Sequence, residues 1–182
     1  MTLVTPVPPA HAADDVDIIR RIGRGDRGAL EQLYDDNAGW LTVRLSRRCG
    51  NPELVDTALQ DTFLTIWKKA SRYQPTGDVG AWIWTIAIRR LIDQLRKHPP
   101  PSPTAAIAPL ADVIDQEVPL ALGHTELGEA FASLDPELQA VMAATALDGL
   151  TNSEAADLLG IPTGTVKSRL SRARLMLKEQ LR

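Results

Sequence analysis

The stretch LTNSEAADLLGIPTGTVKSRLSRARLML, residues 150–177, decides the fold of the carboxyl-terminal part of the chain. Thr151 and Glu154 have the spacing of a capping box, which starts a helix. Gly160 is placed to end that helix, and the GIPT that contains it predicts a tight turn. Thr163 is then expected to cap a second helix. Two short helices joined in this way are typical of a helix-turn-helix.

The second of these helices is predicted to be amphipathic. At about 100 degrees per residue, one narrow apolar stripe forms, and its members are Val166, Leu170, Ala173 and Leu177. The opposite side carries Lys167, Ser168, Ser171 and Arg172. Arg169 and Arg174 fall at the two borders, where a side chain can reach phosphates while the central residues reach base edges. The pattern favours DNA binding over a solvated basic helix.

The net charge of −3 hides an uneven distribution of charged residues. Residues 99–166 contain ten acidic side chains and no Lys or Arg, whereas residues 167–182 contain six basic side chains and one acidic side chain. A smaller basic cluster, RRLIDQLRK, occupies residues 89–97. Because basic clusters attract phosphate groups, both regions are candidate nucleic-acid contacts.

Prolines divide the chain into two parts. HPPPSPTAAIAP at 98–109 holds five prolines and cannot lie inside a helix or a strand. On both sides of it, apolar residues recur at spacings of three and four, which is typical of helices. The sequence therefore predicts an all-α protein with a loose tail at 1–13, a helical domain at 14–98, a flexible acidic and Pro-rich linker at 99–124, and a second helical domain with the helix-turn-helix at 125–182.

GRGDRG at 23–28 matches the G-x-G-x-x-G pattern of dinucleotide-binding proteins. That fingerprint requires a strand before the glycines and a helix after them. Here a helical pattern that includes Ile18 and Ile22 leads into the glycines, so the segment is predicted to be a helix-to-helix turn. A nucleotide-dependent enzyme remains the more distant alternative.

The sequence offers no recognisable catalytic or metal site. His11, His98 and His124 have no zinc-ligand spacing and no partner for nucleophilic catalysis. The single cysteine, Cys49, cannot form an internal disulfide, and no apolar run reaches the length of about 18 residues that spans a membrane. We therefore expect a cytoplasmic protein that is not an enzyme and needs no metal or cofactor.

Four segments together carry a family resemblance. GLTNSEAADLLGIPTGTVKSRLSRAR at 149–174 resembles the carboxyl-terminal helix-turn-helix of the extracytoplasmic-function (ECF) sigma factors, the small bacterial branch of the sigma-70 class. GDRGALEQLY at 25–34 resembles the opening helix of that family. LQDTFLTIWKKA at 59–70 resembles its core-polymerase-binding motif, and WIWTIAIRRLIDQLR at 82–96 resembles its promoter-melting helix.

The resemblance implies a dissociable specificity subunit that directs bacterial RNA polymerase core to promoter DNA and melts the minus-10 element. The implied contacts with core polymerase are Asp56, Gln60, Asp61, Thr62, Phe63 and Trp67. The implied minus-10 contacts are Arg72, Tyr73, Trp82, Arg89 and Arg90. The implied minus-35 contacts are Thr165, Lys167, Ser168, Arg169, Ser171, Arg172 and Arg174.

Helical spacing separates two neighbouring tryptophans. Trp82 shares a side of its helix with Arg89 and is expected to face outward, whereas Trp84 falls with Ile88 on the side expected to be core. For Phe63, a place in the core is as compatible with the pattern as a contact with the polymerase.

The chain departs from the family pattern at three positions. Thr57 stands where an acid is usual, Arg89 where Asn is common, and Gln139 where Arg is common. The last of these removes a positive charge that could have touched the DNA backbone.

Family members are usually restrained by an anti-sigma factor, so such a partner is expected. The acidic linker is either a solubilising tether or a segment that enters the nucleic-acid channels of the polymerase. The nearer alternative function is a stand-alone helix-turn-helix transcriptional regulator. A regulator would need a receiver or ligand-binding domain with strands, and the sequence shows no strand pattern.

Overall fold

The computed structural model describes residues 12–74, 78–99 and 125–181. These residues form α-helices and contain no strand, which confirms the predicted all-α class. The helices are α1 (Ala12–Gly23), α2 (Arg27–Ser46), α3 (Pro52–Lys69), α4 (Val79–Lys97), α5 (Glu126–Ala132), α6 (Pro136–Met142), α7 (Asn152–Leu159) and α8 (Thr163–Gln180). A 3₁₀ turn, Ala70–Arg72, follows α3, and a π-helical turn, Ala143–Leu147, follows α6.

The chain divides into two compact helical units. The first comprises Met1–Ser46 and Asn51–Gln94, and the second comprises Arg47–Gly50 and Leu95–Arg182. Helix α1 begins at Ala12, two residues before the end of the predicted tail at 1–13. All of the predicted linker beyond Pro99 lies outside the described residues.

The core of the first unit is built from apolar side chains that α1, α2, α3 and α4 contribute at helical spacing. Its fully buried members include Ile19, Ile22, Leu33, Leu41, Leu45, Ile66, Ile83, Ile88, Leu91 and Ile92. At the end of α1, a Cβ on Gly23 would lie 3.0 Å from the backbone of Ser71. Glycine fits this close approach of the two backbone segments, whereas a larger residue would require the backbone near Ser71 to shift by a few tenths of an ångström.

GRGDRG forms the turn from α1 to α2, as predicted, and Gly25 adopts a φ of 89° within it. Asp26 stands immediately before α2 and caps that helix. Its Oδ1 accepts a hydrogen bond from the backbone N–H of Ala29 at 3.1 Å, and its Oδ2 accepts one from Arg21 Nε at 2.9 Å. These two hydrogen bonds, the backbone one above all, lower the pKa of Asp26 below its ordinary value of 3.8.

The core of the second unit centres on α5, α6 and α8. Its cluster consists of Ala130, Phe131, Leu134, Leu138, Ala173 and Leu177, with Met142, Leu147 and Met176 packed against it. The π-helical turn ends in a hydrogen bond from the Asp148 N–H to the Ala143 carbonyl, at 3.0 Å. Gly149 then adopts a φ of 66°, which allows the chain to turn towards α7.

The helix-turn-helix forms through the local signals seen in the sequence. Thr151 Oγ1 accepts from the Glu154 N–H at 3.2 Å, and Glu154 Oε2 accepts from the Thr151 N–H at 2.8 Å, which confirms the capping box. Gly160 ends α7 in the left-handed conformation, with a φ of 64°. The prediction that Thr163 caps the next helix is wrong by one residue. Pro162 occupies the cap position without a side-chain hydrogen bond, and its carbonyl accepts from the Thr165 and Val166 N–H groups.

Replacing Asp26 with Ala is expected to lower the thermal unfolding midpoint at neutral pH. Because the folded-state pKa is lowered, the stabilisation by Asp26 is present above the unfolded value of 3.8 and is lost as the pH falls through the folded value. The gap in midpoint between wild type and Asp26→Ala should therefore close on acidification. The matched control is Asp36→Ala on the exposed side of α2. A gap that stays constant down to low pH would contradict this role for the carboxylate.

Candidate nucleic-acid interface

Helix α8 presents one polar face and one buried face. Val166, Leu170, Ala173 and Leu177 are all buried, which confirms the predicted stripe. Lys167, Ser168, Ser171, Arg172 and Arg174 are exposed, and Thr165 is half-buried. The helix therefore holds three cations and two hydroxyls at fixed positions on a rigid surface. Groups of these types can pair with phosphate oxygens and with the base edges of a major groove.

Arg169 does not share the exposure of the other α8 arginines. Its Nη2 forms an ion pair with Glu137 Oε2 on α6, and the Arg169 side chain is only 21% exposed. Its Nη1 is buried as well. Arg172 lies 3.7 Å from Asp135 Oδ2, but both of those side chains remain largely exposed. A shallow groove lies between α6 and α8. Leu138 and Ser168 line it together with these charged residues.

Gln139, where the family commonly has Arg, serves the fold of α5. Its side chain is buried, and its Nε2 donates to the carbonyl of Phe131 at 3.1 Å and to that of Ala132 at 2.9 Å. Carbonyls at the end of a helix lack partners within the helix. The Gln139 amide donates a hydrogen bond to each of these two carbonyls, so this position contributes a structural hydrogen-bond donor and no surface charge.

The predicted polymerase-contact residues on α3 divide between surface and core. Asp56 and Gln60 are exposed, and Trp67 is half-buried. Asp61 is half-buried too, and its Oδ2 accepts a hydrogen bond from Gln94 Nε2 of α4 at 2.8 Å. The exposed pair is therefore free to meet a partner, whereas Asp61 already holds α3 to α4.

Thr62 and Phe63, two of the predicted polymerase contacts, lie in the core of the first unit. Thr62 is fully buried, and its Oγ1 donates to the Ala58 carbonyl at 2.6 Å. Phe63 is also buried, and its ring centroid lies 4.8 Å from that of Tyr34 on α2. Both side chains lie on the α3 face that packs inward.

The edge of the Tyr34–Phe63 contact opens into a groove that sequence reasoning missed. Leu30, Glu31, Tyr34, Asp35 and Phe63 line this groove, which has a volume of about 420 Å³. Tyr34 is exposed. An exposed aromatic residue beside acidic residues on α2 is a signal that could have pointed to this surface.

Two of the proposed minus-10 residues, Tyr73 and Trp82, form an aromatic pair. The rings of Tyr73 and Trp82 have centroids 4.6 Å apart and are tilted by 52°. Burial raises the pKa of the Tyr73 hydroxyl above its ordinary value of 10.0, and the carboxylates of Asp78 and Asp15 raise it further. Tyr73 is therefore neutral at physiological pH. Residues 75–77 of the adjoining loop lie outside the described residues.

The arginines near this aromatic pair differ in exposure. Arg72 and Arg89 are exposed, whereas Arg90 is half-buried. Arg90 Nη2 lies 3.2 Å from Asp93 Oδ2 on the next turn of α4. Arg72 and Arg89 are thus the more accessible cations of this surface.

Trp84 lies in the core, as predicted, with 3% of its side chain exposed. The Arg44 guanidinium carbon lies 4.1 Å from its ring centroid, within the range of a cation–π interaction. Trp82 is half-buried and not fully outward, because Tyr73 covers part of it. Part of Trp82 stays accessible.

The described ranges contain neither a candidate metal site nor a candidate membrane span. Residues 12–74, 78–99 and 125–181 contain no group of three or more His, Cys, Asp or Glu side chains that could hold a metal ion. Among the same residues, no helix is both long and apolar enough to cross a bilayer.

Comparison with known proteins identifies the class. Residues 33–99 match Sigma-70 region 2, and residues 124–177 match Sigma-70, region 4. The chain is 31% identical over 176 residues to the ECF RNA polymerase sigma factor SigM of Mycobacterium tuberculosis strain H37Rv, a match that covers 94% of this chain and 86% of that protein. It is 32% identical over 164 residues to the ECF RNA polymerase sigma factor RpoE of Cereibacter sphaeroides, with 86% and 88% covered.

A solved structure of CnrH in complex with the cytosolic domain of CnrY is also similar, with 27% identity, a TM-score of 0.44, and 92% of this chain and 96% of that chain covered. The two matched regions define a sigma factor of the sigma-70 class. Within that class, the chain belongs to the ECF RNA polymerase sigma factors. The resemblance noted in the motifs is thus confirmed, and the alternative of a stand-alone regulator is not supported.

Trp82→Ala and Trp84→Ala are expected to have different effects. Loss of the buried Trp84 should destabilise the fold by about 3–5 kcal/mol. Loss of Trp82 should change the thermal midpoint much less, yet slow promoter opening, because a stacking contact with an unpaired base is worth about 1–3 kcal/mol. Permanganate reactivity of unpaired thymines, on a linear promoter and on the same promoter with a premelted bubble, measures the second effect.

The bubble template is the control for the Trp82 prediction. A residue that acts at the melting step should be dispensable once the strands are already apart. If Trp82→Ala opens the linear promoter at the wild-type rate, or fails equally on both templates, Trp82 does not act at the melting step.

Proposed function

We propose that the chain recruits core RNA polymerase to promoters through two separate surfaces. The domain at 14–98 would contact core polymerase and the minus-10 element, and the domain at 125–182 would contact the minus-35 element, with residues 99–124 as the linker. The protein would act in the cytoplasm as a binding subunit without a catalytic site of its own.

The observation that carries this proposal is the division of α8 into two faces. The buried stripe anchors the helix in the second unit, so that the polar face can enter a major groove without a change of fold. Lys167, Arg172 and Arg174 lie on that face and can neutralise phosphates or pair with guanine. A helix of this kind placed after a capped α7 and a glycine turn is the arrangement that helix-turn-helix proteins use to read DNA.

For the first domain, the proposal assigns polymerase contact to the exposed side of α3. Asp56 and Gln60 are one helical turn apart and carry side chains that no hydrogen bond in the described structure engages. Trp67, two turns further on, is half-buried and adds apolar area at the edge of the same surface. Interfaces commonly combine an aromatic anchor with polar neighbours in this way.

Strand opening would draw on binding energy alone. An unpaired base offers a π-face to the accessible part of Trp82, and the phosphates of the opened strand attract Arg72 and Arg89. The stacking contact exists only after the duplex opens, so it favours the melted state over the closed one. The proposal needs no nucleotide hydrolysis by this chain.

The proposal includes a restraining anti-sigma factor, which follows from family membership. A protein that covers α3 and α8 would block both proposed surfaces together. Purification of the tagged chain from its native cell, before and after envelope stress, followed by mass spectrometry, would identify such a partner.

The central test is reconstitution with purified core polymerase. The wild-type chain should bind core and support specific transcription without any other factor, whereas a regulator would not. The double variant Asp56→Arg with Gln60→Ala should bind core more weakly while its circular dichroism spectrum stays unchanged. Asp36→Arg, an equal charge change on the exposed side of α2, is the matched control. Wild-type affinity for core in the α3 variant would refute the assignment of this surface.

A second test separates base contacts from phosphate contacts on α8. Arg172→Ala should relax sequence preference at one minus-35 position, since a good base contact is worth about 1–3 kcal/mol of discrimination. Arg174→Ala should weaken binding to all sequences alike. Selection of holoenzyme on a promoter library randomised in the minus-35 element measures both effects. The assignment of Arg172 to a base and of Arg174 to a phosphate would be wrong if the two variants lost the same affinity for every selected sequence.

A further inference from the structure

Two acidic residues at the start of α6, Asp135 in the cap position and Glu137 in the first turn, pair with two arginines of α8 in different ways. Glu137 forms an ion pair with Arg169, whose side chain is only 21% exposed and whose Nη1 is buried. Asp135 lies 3.7 Å from Arg172, but these side chains are 64% and 67% exposed. Arg172 is therefore free to turn towards DNA, whereas Arg169 is held against α6.

Arg169 occupies a position on α8 from which an unpaired arginine could reach a DNA phosphate. Residue 169 lies at the border between the buried stripe and the polar face, next to the exposed Ser168 and one turn from the exposed Arg172. A long, flexible arginine side chain at such a border can extend to a phosphate on the wall of the groove. In this fold the guanidinium instead turns to the Glu137 carboxylate.

We propose that Glu137 is a specificity-determining residue that withholds Arg169 from the DNA backbone. Resting on the proposed DNA-binding role of α8, this inference concerns the sequence-independent part of binding. Each phosphate that a protein neutralises strengthens its binding to every DNA sequence, specific or not. A paired Arg169 adds nothing to that general affinity, so discrimination between promoter and other DNA depends more on Lys167 and Arg172.

An ion pair between partly exposed side chains contributes little to folding stability. If Glu137 had only a structural role, Glu137→Gln would therefore change the thermal midpoint slightly and would not change DNA binding. If Glu137 instead keeps Arg169 away from the DNA backbone, the same substitution should change DNA binding. Once released, Arg169 can pair with a phosphate, and the salt dependence of DNA binding records the additional contact.

The experiment measures binding of the full-length chain to a fluorescent DNA duplex of arbitrary sequence across a range of salt concentrations. The slope of log affinity against log salt should steepen by about 0.9 in Glu137→Gln, the value for one additional phosphate contact, and affinity should rise. Arg169→Ala should keep the wild-type slope. In the double variant Glu137→Gln with Arg169→Ala, the slope should return to that of wild type.

Two matched variants complete the design. Asp135→Asn removes an acid of equal charge from the same end of α6 and should leave the slope unchanged, because Arg172 is already exposed. Arg174→Ala should reduce the slope by about 0.9, as expected for a phosphate contact. Thermal unfolding of every variant shows that each one folds.

The results separate this inference from the proposed function. If Arg169→Ala lowers the slope as Arg174→Ala does, Arg169 is an ordinary phosphate contact and the inference is overturned. The same holds if Glu137→Gln behaves like Asp135→Asn. If the wild-type chain binds no duplex, or Arg174→Ala leaves the slope unchanged, the DNA-binding face itself is misassigned, and the inference is overturned with it.

Discussion

The packing of one stripe on α8 is the constraint on which the proposed DNA-binding surface depends. Val166 and Ala173 are completely buried, and Leu170 and Leu177 nearly so. Because successive residues turn by about 100 degrees, fixing these four side chains fixes the direction of every other residue on the helix. A rotation of α8 that moved Arg169 into the exposed face would expose part of the stripe to water, at about 25 cal/mol for each Å² of apolar surface. The second core therefore determines which α8 residues can meet DNA.

Several buried polar groups in both units are hydrogen-bonded, some within one helix and some between neighbouring helices. Asn37 donates to the Leu33 carbonyl and accepts from the indole N–H of Trp40, both at 2.9 Å. Gln94 on α4 reaches Asp61 on α3, and Gln139 on α6 reaches the end of α5. A buried polar group left without a partner would cost about 1–3 kcal/mol. Within each unit, the bonds between helices help to hold those helices, and the exposed surfaces they carry, in place.

The features that sequence reasoning predicted correctly are those determined within one or two helical turns. The capping box at Thr151, the left-handed Gly160 and the apolar stripe of α8 depend on neighbouring residues, and so does the core position of Trp84. The features it missed depend on contacts between elements. Nothing local in the sequence of α8 distinguishes Arg169 from Arg174, because the difference arises from Glu137 on another helix.

The same limitation applies to α3 and α6. A period of three to four residues grouped Asp56, Gln60 and Phe63 into one stripe, yet the edge of the core runs through that stripe and covers Phe63. From the sequence alone, Gln139 shows only the absence of a positive charge. The fold also gives its amide two hydrogen bonds at the end of α5. The functional roles of individual residues stay predictions. The fold shows only which of those residues have exposed side chains.

The distribution of aromatic residues gives the two units different spectroscopic signatures. Trp40, Trp67, Trp82 and Trp84 are the four tryptophans, and all lie in the first unit. Within the second unit, the aromatic side chain of the core is Phe131. Intrinsic tryptophan emission therefore reports on the first unit, while far-ultraviolet circular dichroism sums the helices of both. Recording the two signals during one denaturant titration reveals whether the halves of the chain unfold in a single cooperative transition or independently, without any added label.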